Sequence, residues 1–202
     1  MSASTPMSRR LILVTGPARS GKSEWAEMLA QNAGKRVVYV ATSRTDPTDR
    51  EWCDRIRVHR DRRPPDWTTL EVPVELATAI ASTSAPDTCI LVDSLGTWLA
   101  NLLEWDEPRW ENAVEELLGV LSQGTGEVIL VAEEVGWGLV PAYPSGRVFR
   151  DRLGGLVRRV GARADSVYLV TGGHVLDLTQ LGTPLPCEMI PIGLPTDLTD
   201  QL

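Results

Sequence analysis

The chain has only two histidines, His59 and His174, and three cysteines, Cys53, Cys89 and Cys187. The cysteines show no metal-ligand spacing, and an odd number cannot all pair. That excludes a disulfide scaffold and suits a reducing compartment. No apolar run approaches the roughly 20 residues that cross a bilayer. The opening segment, MSASTPMSRR, is polar and leads into a short strand-like run instead of a signal-peptide hydrophobic region. These absences predict a soluble, cytoplasmic protein with no membrane span. Positive charge is also short: 20 Lys and Arg stand against 27 Asp and Glu, a net charge of −7. A general nucleic-acid binder carries the opposite sign, so no nucleic-acid partner is expected and any anion site is local.

What is present is ordinary for a globular domain: 43% hydrophobic and 23% charged residues over 202 positions, enough for one packed core. Residues 1–202 are therefore expected to form a single nucleotide-binding domain, with 1–9 flexible. Short apolar runs alternate with helical patterns. LILVTG (11–16), RVVYVATS (36–43), CILVDS (89–94), EVILVAEE (127–134) and SVYLVTGG (166–173) read as buried strands. Near-continuous apolar runs fit a parallel sheet covered on both faces. GKSEWAEMLAQNAG, VELATAIAST, RWENAVEELLGVL and GRVFRDRLGGLVRRVGARA read as helices between them. The fold class predicted is α/β, a three-layer sandwich with a mostly parallel central sheet. The Gly-rich tail from Gly172 is expected to add a hairpin or edge strands.

Directly after the first strand comes GPARSGKS, residues 16–23, in the pattern G-x-x-x-x-G-K-[ST] and at the start of a helix. Glycines there let backbone N–H groups converge on phosphate oxygens, and the helix N-terminus adds partial positive charge. Lys22 can reach the β- and γ-phosphates, and the Ser23 hydroxyl is suited to Mg²⁺. CILVDS carries Asp93 to the end of a buried strand, where a carboxylate can hold the same Mg²⁺. The alternative for Asp93 is the N-cap of the helix in DSLGTWLANLL.

One histidine lies in a basic run: five arginines and one aspartate fall between Arg55 and Arg63. Asp46, Pro47 and Asp49 make a helix start, and RPP from Arg63 a stop. Trp52, Ile56 and His59 then share one face, a spacing that also fits a core histidine. Surrounding guanidinium groups disfavour imidazolium, leaving a nucleophilic ring nitrogen, and can hold a transferring phosphoryl or nucleotidyl group. Neutral histidine beside an anion clamp is what a phosphoramidate intermediate requires. His174 has no such neighbours and reads as structural.

The segments LVTGPARSGKSEWAE, YVATS, RIRVHRDRRPPDWTTLE, ILVDSLGTWLANLL and EEVGWGLVPAYPSGRVFRDRLGGL together resemble the bifunctional adenosylcobinamide kinase/adenosylcobinamide-phosphate guanylyltransferases of cobalamin biosynthesis. The likeness spans nearly the whole chain, and the histidine and EVGxGLVP segments carry most of its specificity. It implies a P-loop fold of the RecA-like branch and two reactions. ATP or GTP phosphorylates adenosylcobinamide; GTP then guanylylates a histidine, and GMP passes to adenosylcobinamide phosphate. It implies Mg²⁺, catalytic roles for His59 and Lys22, and a homotrimer. Nucleotide-contacting positions carried over are Gly16, Pro17, Ala18, Arg19, Ser20, Gly21, Lys22, Ser23, Ala41, Thr42, Ser43, Arg60, Asp61, Arg62, Arg63, Glu71 and Asp93, with Ser23 and Asp93 as metal ligands. Trp98, Leu99, Leu102, Leu103, Trp105 and Trp110 are candidates for the interface between copies, with core packing as the alternative. Three positions depart from the family pattern: Val58 replaces a first histidine, Arg62 a glycine and Glu133 an asparagine. Glycine takes backbone angles that arginine resists. The rival readings are a P-loop kinase of another small alcohol with a structural His59, and a GTP-binding switch, although no N-K-x-D motif follows Asp93.

Overall fold

The computed structural model describes residues 9–44 and 62–185. Strands β1 (Arg10–Gly16), β2 (Arg36–Ala41), β4 (Thr88–Asp93) and β5 (Glu127–Glu133) form the middle of the sheet, and almost every side chain in them is buried. Strand β3 (Thr68–Glu71) closes one edge, and β6 (Ser166–Thr171) with β7 (His174–Asp177) the other. The order is β3-β2-β4-β5-β1-β6-β7, with every pairing parallel except β6 with β7.

Period-2 alternation sends the two halves of each strand to opposite cores. Ile12, Val14, Tyr39, Leu91, Ile129 and Val131 meet Ala26 and Ala30 of helix α1 (Lys22–Asn32) on one face. Leu11, Leu13, Val38, Val40, Ile90 and Leu130 face the opposite way. They are covered by α2 (Leu76–Thr83), α3 (Leu95–Asn101), α4 (Glu107–Gln123) and α5 (Pro144–Gly161). Continuous apolar runs are thus what a sheet covered on both faces requires, and the α/β sandwich expected from them is present.

The predicted helices appear within a few residues of their expected ends. Asp106 caps α4 by accepting from Arg109 N at 3.0 Å, and Pro144 opens α5, where its missing N–H costs nothing. The hairpin expected after Gly172 is β6–β7. Gly172 and Gly173 take φ of 58° and 77°, angles open to glycine in a two-residue turn. Asp177 caps a short helix, α6 (Leu178–Leu181). Strand β3 lacked a sequence signal because an edge strand with three exposed residues has no apolar run to show. The helix expected from Asp46 lies outside the described residues.

The suggested interface cluster is mostly core. Trp98, Leu99, Leu102 and Trp110 are no more than 2% exposed within one copy, and the Trp98 and Trp110 rings pack at 5.6 Å. Trp98 Nε1 donates to Val74 O at 2.8 Å, which satisfies the buried indole. Leu103 and Trp105 are half-buried, and the Arg109 guanidinium lies 3.8 Å from the Trp105 ring centroid.

Two buried arginines join α5 to α4 and the turn before it. Arg152 donates to Trp105 O and Glu107 Oε2, each at 2.9 Å, and Arg159 pairs with Glu111 at 2.8 Å and Glu115 at 2.6 Å. The half-exposed carboxylates can return to water, so losing Arg159 costs less than losing a fully buried pair. Arg159→Ala is expected to lower unfolding free energy by about 2 kcal/mol. An unchanged urea midpoint would show that these pairs do not hold α5 in place.

Candidate active site

Parallel pairing brings the carboxyl ends of five adjacent strands to one edge. In sheet order they deliver Glu71, Ala41, Asp93, Glu133 and Gly16. Ala41 is the register partner of both Glu71 and Asp93, and Gly16 that of Glu133. At about 4.8 Å per strand, β1 and β4 lie about 10 Å apart. A crevice at the carboxyl edge of such a sheet is where open α/β folds bind ligands.

The loop from Gly16 to Gly21 has the backbone of an anion cradle. A Cβ at Gly16 would run into the Val170 carbonyl on β6, so no other residue fits there. Arg19 and Gly21 take φ of 60° and 94°. The left-handed region costs an arginine about 1–2 kcal/mol, a strain of the kind held at ligand sites. Gly21 is the N-cap of α1 and offers no side chain to the first-turn N–H groups. Those donors remain available to an anion at the positive end of the helix. Lys22 and Ser23 are buried, and Lys22 Nζ donates to Pro17 O at 3.3 Å. The buried hydroxyls of Thr15 and Ser20 have no hydrogen-bond partner among the described residues. Each such orphan costs about 1–3 kcal/mol, a cost that phosphate oxygens would relieve.

Across the crevice, Asp93 is not a helix cap. Ser94 caps α3: its Oγ accepts from Thr97 N at 3.3 Å, and Thr97 Oγ1 accepts from Ser94 N at 3.2 Å. Asp93 Oδ2 instead accepts from the Tyr39 hydroxyl at 2.9 Å. Burial, reinforced by Asp93, raises the Tyr39 pKa and keeps the phenol a neutral donor. Thr42 is fully buried and holds β2 against the start of α3. Its hydroxyl donates to Ser94 O at 2.7 Å and accepts from Ser94 N at 2.9 Å. Ala41 and Ser43 are half-buried beside it, and Glu71 is exposed.

Glu133, noted in the sequence only as a departure, is central to this edge. Its carboxylate accepts from Ser94 Oγ at 2.6 Å and from Gly96 N at 3.0 Å, tying β5 to the N-terminus of α3. Burial raises its pKa, with Asp93 adding to the rise, while Ser94 and the Lys22 charge oppose it. Its position directly after the apolar run VILVA was the available signal.

The arginines divide between two anchors. Arg62 Nη1 pairs with Glu24 at 2.6 Å and Arg62 Nη2 with Glu27 at 3.3 Å, both on α1. Arg63 lies 3.4 Å from the Tyr39 ring centroid, and its Nη1 donates to Thr69 Oγ1 at 3.4 Å. His59, Arg60 and Asp61 lie outside the described residues. His174 is exposed on β7, with Nδ1 2.9 Å from Gly172 O.

The chain is similar to known proteins in sequence and in fold. Residues 12–178 match the family described as cobinamide kinase / cobinamide phosphate guanyltransferase. The chain is 41% identical over 174 residues to the bifunctional adenosylcobalamin biosynthesis protein CobP of Pseudomonas aeruginosa, covering 86% of this chain and 98% of that protein. It is 40% identical over 177 residues to the bifunctional adenosylcobalamin biosynthesis protein CobU of Salmonella typhimurium, covering 81% of this chain and 96% of that one. A solved structure from Pyrococcus horikoshii OT3 superposes with a TM-score of 0.51 at 11% identity, covering 84% of this chain and 85% of the other. That likeness shows the fold alone.

Glu133 generates a test of the site's electrostatics. A carboxyl whose folded pKa is raised contributes stability below its unfolded value, and that contribution is lost as pH rises through the folded value. Glu133→Gln keeps the shape, with the amide oxygen accepting from Gly96 and the NH₂ donating to Ser94 Oγ. The variant is therefore expected to gain on wild type as pH rises above about 4.5, read as a widening gap in urea midpoints. A gap that stays constant from pH 4 to 8 would contradict the buried-carboxylate account.

Proposed function

Because the chain belongs to the cobinamide kinase / cobinamide phosphate guanyltransferase family, we propose that one crevice, at the carboxyl edge of its sheet, serves both reactions of that family. The chain is an enzyme of cobalamin biosynthesis, a kinase and a guanylyltransferase acting on nucleotide and corrinoid substrates. The observation that carries the shared-crevice reading is the row of strand ends. It sets the Gly16–Ser23 loop and Asp93 on either side of Glu133 along one edge.

In the kinase step the loop N–H groups and Lys22 hold the triphosphate of ATP or GTP. The adenosylcobinamide hydroxyl gives up its proton to solvent and attacks the γ-phosphorus; a new O–P bond forms, the bridging P–O bond breaks, and the nucleoside diphosphate leaves with its electrons. Lys22 offsets charge that builds on the transferring oxygens, where a buried ammonium is most effective. In the second step a ring nitrogen of His59 attacks the α-phosphorus of GTP; an N–P bond forms and pyrophosphate leaves with the P–O bond electrons. A phosphate oxygen of adenosylcobinamide phosphate then attacks the same phosphorus and breaks the N–P bond, giving adenosylcobinamide-GDP and free His59.

The orphaned Thr15 and Ser20 hydroxyls and the buried Ser23 fit a Mg²⁺-polyphosphate. Ser23 and Asp93 would hold the ion, which neutralises phosphate charge when bound. Arg60, Asp61, Arg63, Ala41, Thr42, Ser43 and Glu71 complete the nucleotide surface in this reading, Thr42 through its grip on Ser94. We place the enzyme in the cytoplasm, as a homotrimer of single nucleotide-binding domains. Among the described residues no helix is long and apolar enough to cross a membrane.

Incubation with GTP labelled at the α-phosphate is expected to mark the wild-type protein with a bond that is acid-labile and alkali-stable, whereas γ-label leaves none. His59→Ala is expected to lose the mark and guanylyl transfer while keeping kinase activity, and His174→Ala to change neither. Lys22→Ala is expected to slow both reactions on the order of 100-fold. Retained α-label in His59→Ala would make His59 structural, and a Lys22→Ala enzyme impaired in one reaction only would separate the two sites.

A further inference from the structure

Side-chain alternation puts Asp93 on the α1 face of the sheet. Cys89 and Leu91 of β4 pack in one core with Ala26 and Ala30 of α1, and Asp93 is the next residue of that alternate set. Val37 and Tyr39 of β2 belong to the same core. Parallel register pairs Tyr39 with Leu91 and Ala41 with Asp93, so the Tyr39 ring extends one alternate pair further along the sheet to bring its hydroxyl to Asp93. Asp93 thus lies on the side of the sheet that carries Lys22 and Ser23 at the start of α1.

The backbone that follows Asp93 is fixed by other groups. Ser94 N donates to Thr42 Oγ1 at 2.9 Å, the Thr42 hydroxyl donates to Ser94 O at 2.7 Å, and Ser94 Oγ donates to Glu133 at 2.6 Å. A Cβ at Gly96 would collide with Glu133 Oε2, so glycine is what lets β5 close on α3. These bonds hold the main chain and leave the Asp93 side chain its staggered χ1 positions. The Tyr39 hydroxyl selects among them. It donates to Asp93 Oδ2 at 2.9 Å, since an ionised carboxylate can only accept. The donor sits on an immobile ring: Tyr39 is 2% exposed, stacks on Trp67 with centroids 6.5 Å apart, and has the Arg63 guanidinium 3.4 Å from its own centroid. Partners of this kind orient a ligating carboxylate, and their loss typically costs roughly 10–100-fold in metal affinity.

We propose that Tyr39 is a positioning residue for the metal-bound nucleotide, holding the Asp93 carboxylate in the orientation that grips the ion. It acts through Asp93 and not as a ligand of phosphate or metal. The proposal rests on Asp93 being a metal ligand, which the Asp93→Asn protein decides separately.

The test is equilibrium binding of α,β-methylene-GTP, which cannot release pyrophosphate, to the full chain in Mg²⁺ or in EDTA. No corrinoid is added, so the readout is affinity and not turnover. Wild type, Tyr39→Phe, Asp93→Asn and the double variant are compared. Tyr39→Phe keeps the ring and its packing and removes only the donor. It is expected to bind the Mg²⁺-loaded analogue about tenfold more weakly than wild type and to match wild type in EDTA. The double variant is expected to bind no more weakly than Asp93→Asn, because a residue acting through Asp93 has nothing to orient once that carboxylate is gone. Wild-type affinity of Tyr39→Phe for the Mg²⁺-loaded analogue, beside a weakened Asp93→Asn, would overturn the proposal and leave Asp93 a ligand. An equal loss with and without Mg²⁺ would overturn it as general damage to the crevice, and so would additive losses in the double variant. If Asp93→Asn itself bound the Mg²⁺-loaded analogue as wild type does, the ligand reading of Asp93 would fail and the proposal would fall with it.

Discussion

Parallel strand pairing is the constraint from which the site follows. Four buried strands, β2, β4, β5 and β1, are paired parallel, and parallel neighbours require the chain to cross back over the sheet between strands. Every crossing brings a strand's carboxyl end to the same edge. Side chains at those ends lie at the rim of the sandwich, so polar groups gather there, even though Glu133 is still partly desolvated by burial. Gly16, Ala41, Asp93 and Glu133 are the last residues of their strands. The site is a by-product of the topology, filled in by residues that the strands themselves have no use for.

The electrostatics of that edge are unusual for a polyphosphate site. Asp93, Glu133, Glu24 and Glu27 gather around a loop whose own cations are Arg19 and Lys22, in a chain of net charge −7. Burial raises the pKa values of Glu27 and Glu133, and Asp93 adds to both rises. A triphosphate added to this edge requires opposing charge, which the helix N-terminus, Lys22 and a divalent cation at Ser23 and Asp93 would supply. Arg62 offsets part of the same negative charge by pairing with Glu24 and Glu27, and Arg63 contributes its charge from the Tyr39 side.

Much of this was legible in the chain itself. Apolar runs of strand length ending in a glycine or an aspartate located β1 and β4, and the spacing of GPARSGKS named the loop before any geometry was known. What escaped notice did so for physical reasons. Strand β3 is polar because it lies at an edge, and Trp98 and Trp110 looked like an interface because a sequence does not say which aromatic residues find a core partner. Glu133 read as a substitution until its carboxylate was seen bridging Ser94 and Gly96. Arg62 read as a nucleotide contact by resemblance, and its ion pairs with Glu24 and Glu27 had no signal in the sequence. Long-range pairs of this kind leave no periodicity. His59 itself was picked out by its arginine neighbours, and its part in the reaction remains a chemical claim.

That claim is best tested by stereochemistry at the phosphorus. Each in-line displacement inverts configuration, so passage of GMP through a histidine inverts twice. With GTP made chiral at the α-phosphorus, the account predicts adenosylcobinamide-GDP with net retention at that centre. Net inversion would mean a single direct attack by the cobinamide phosphate on GTP, and would remove His59 from the pathway.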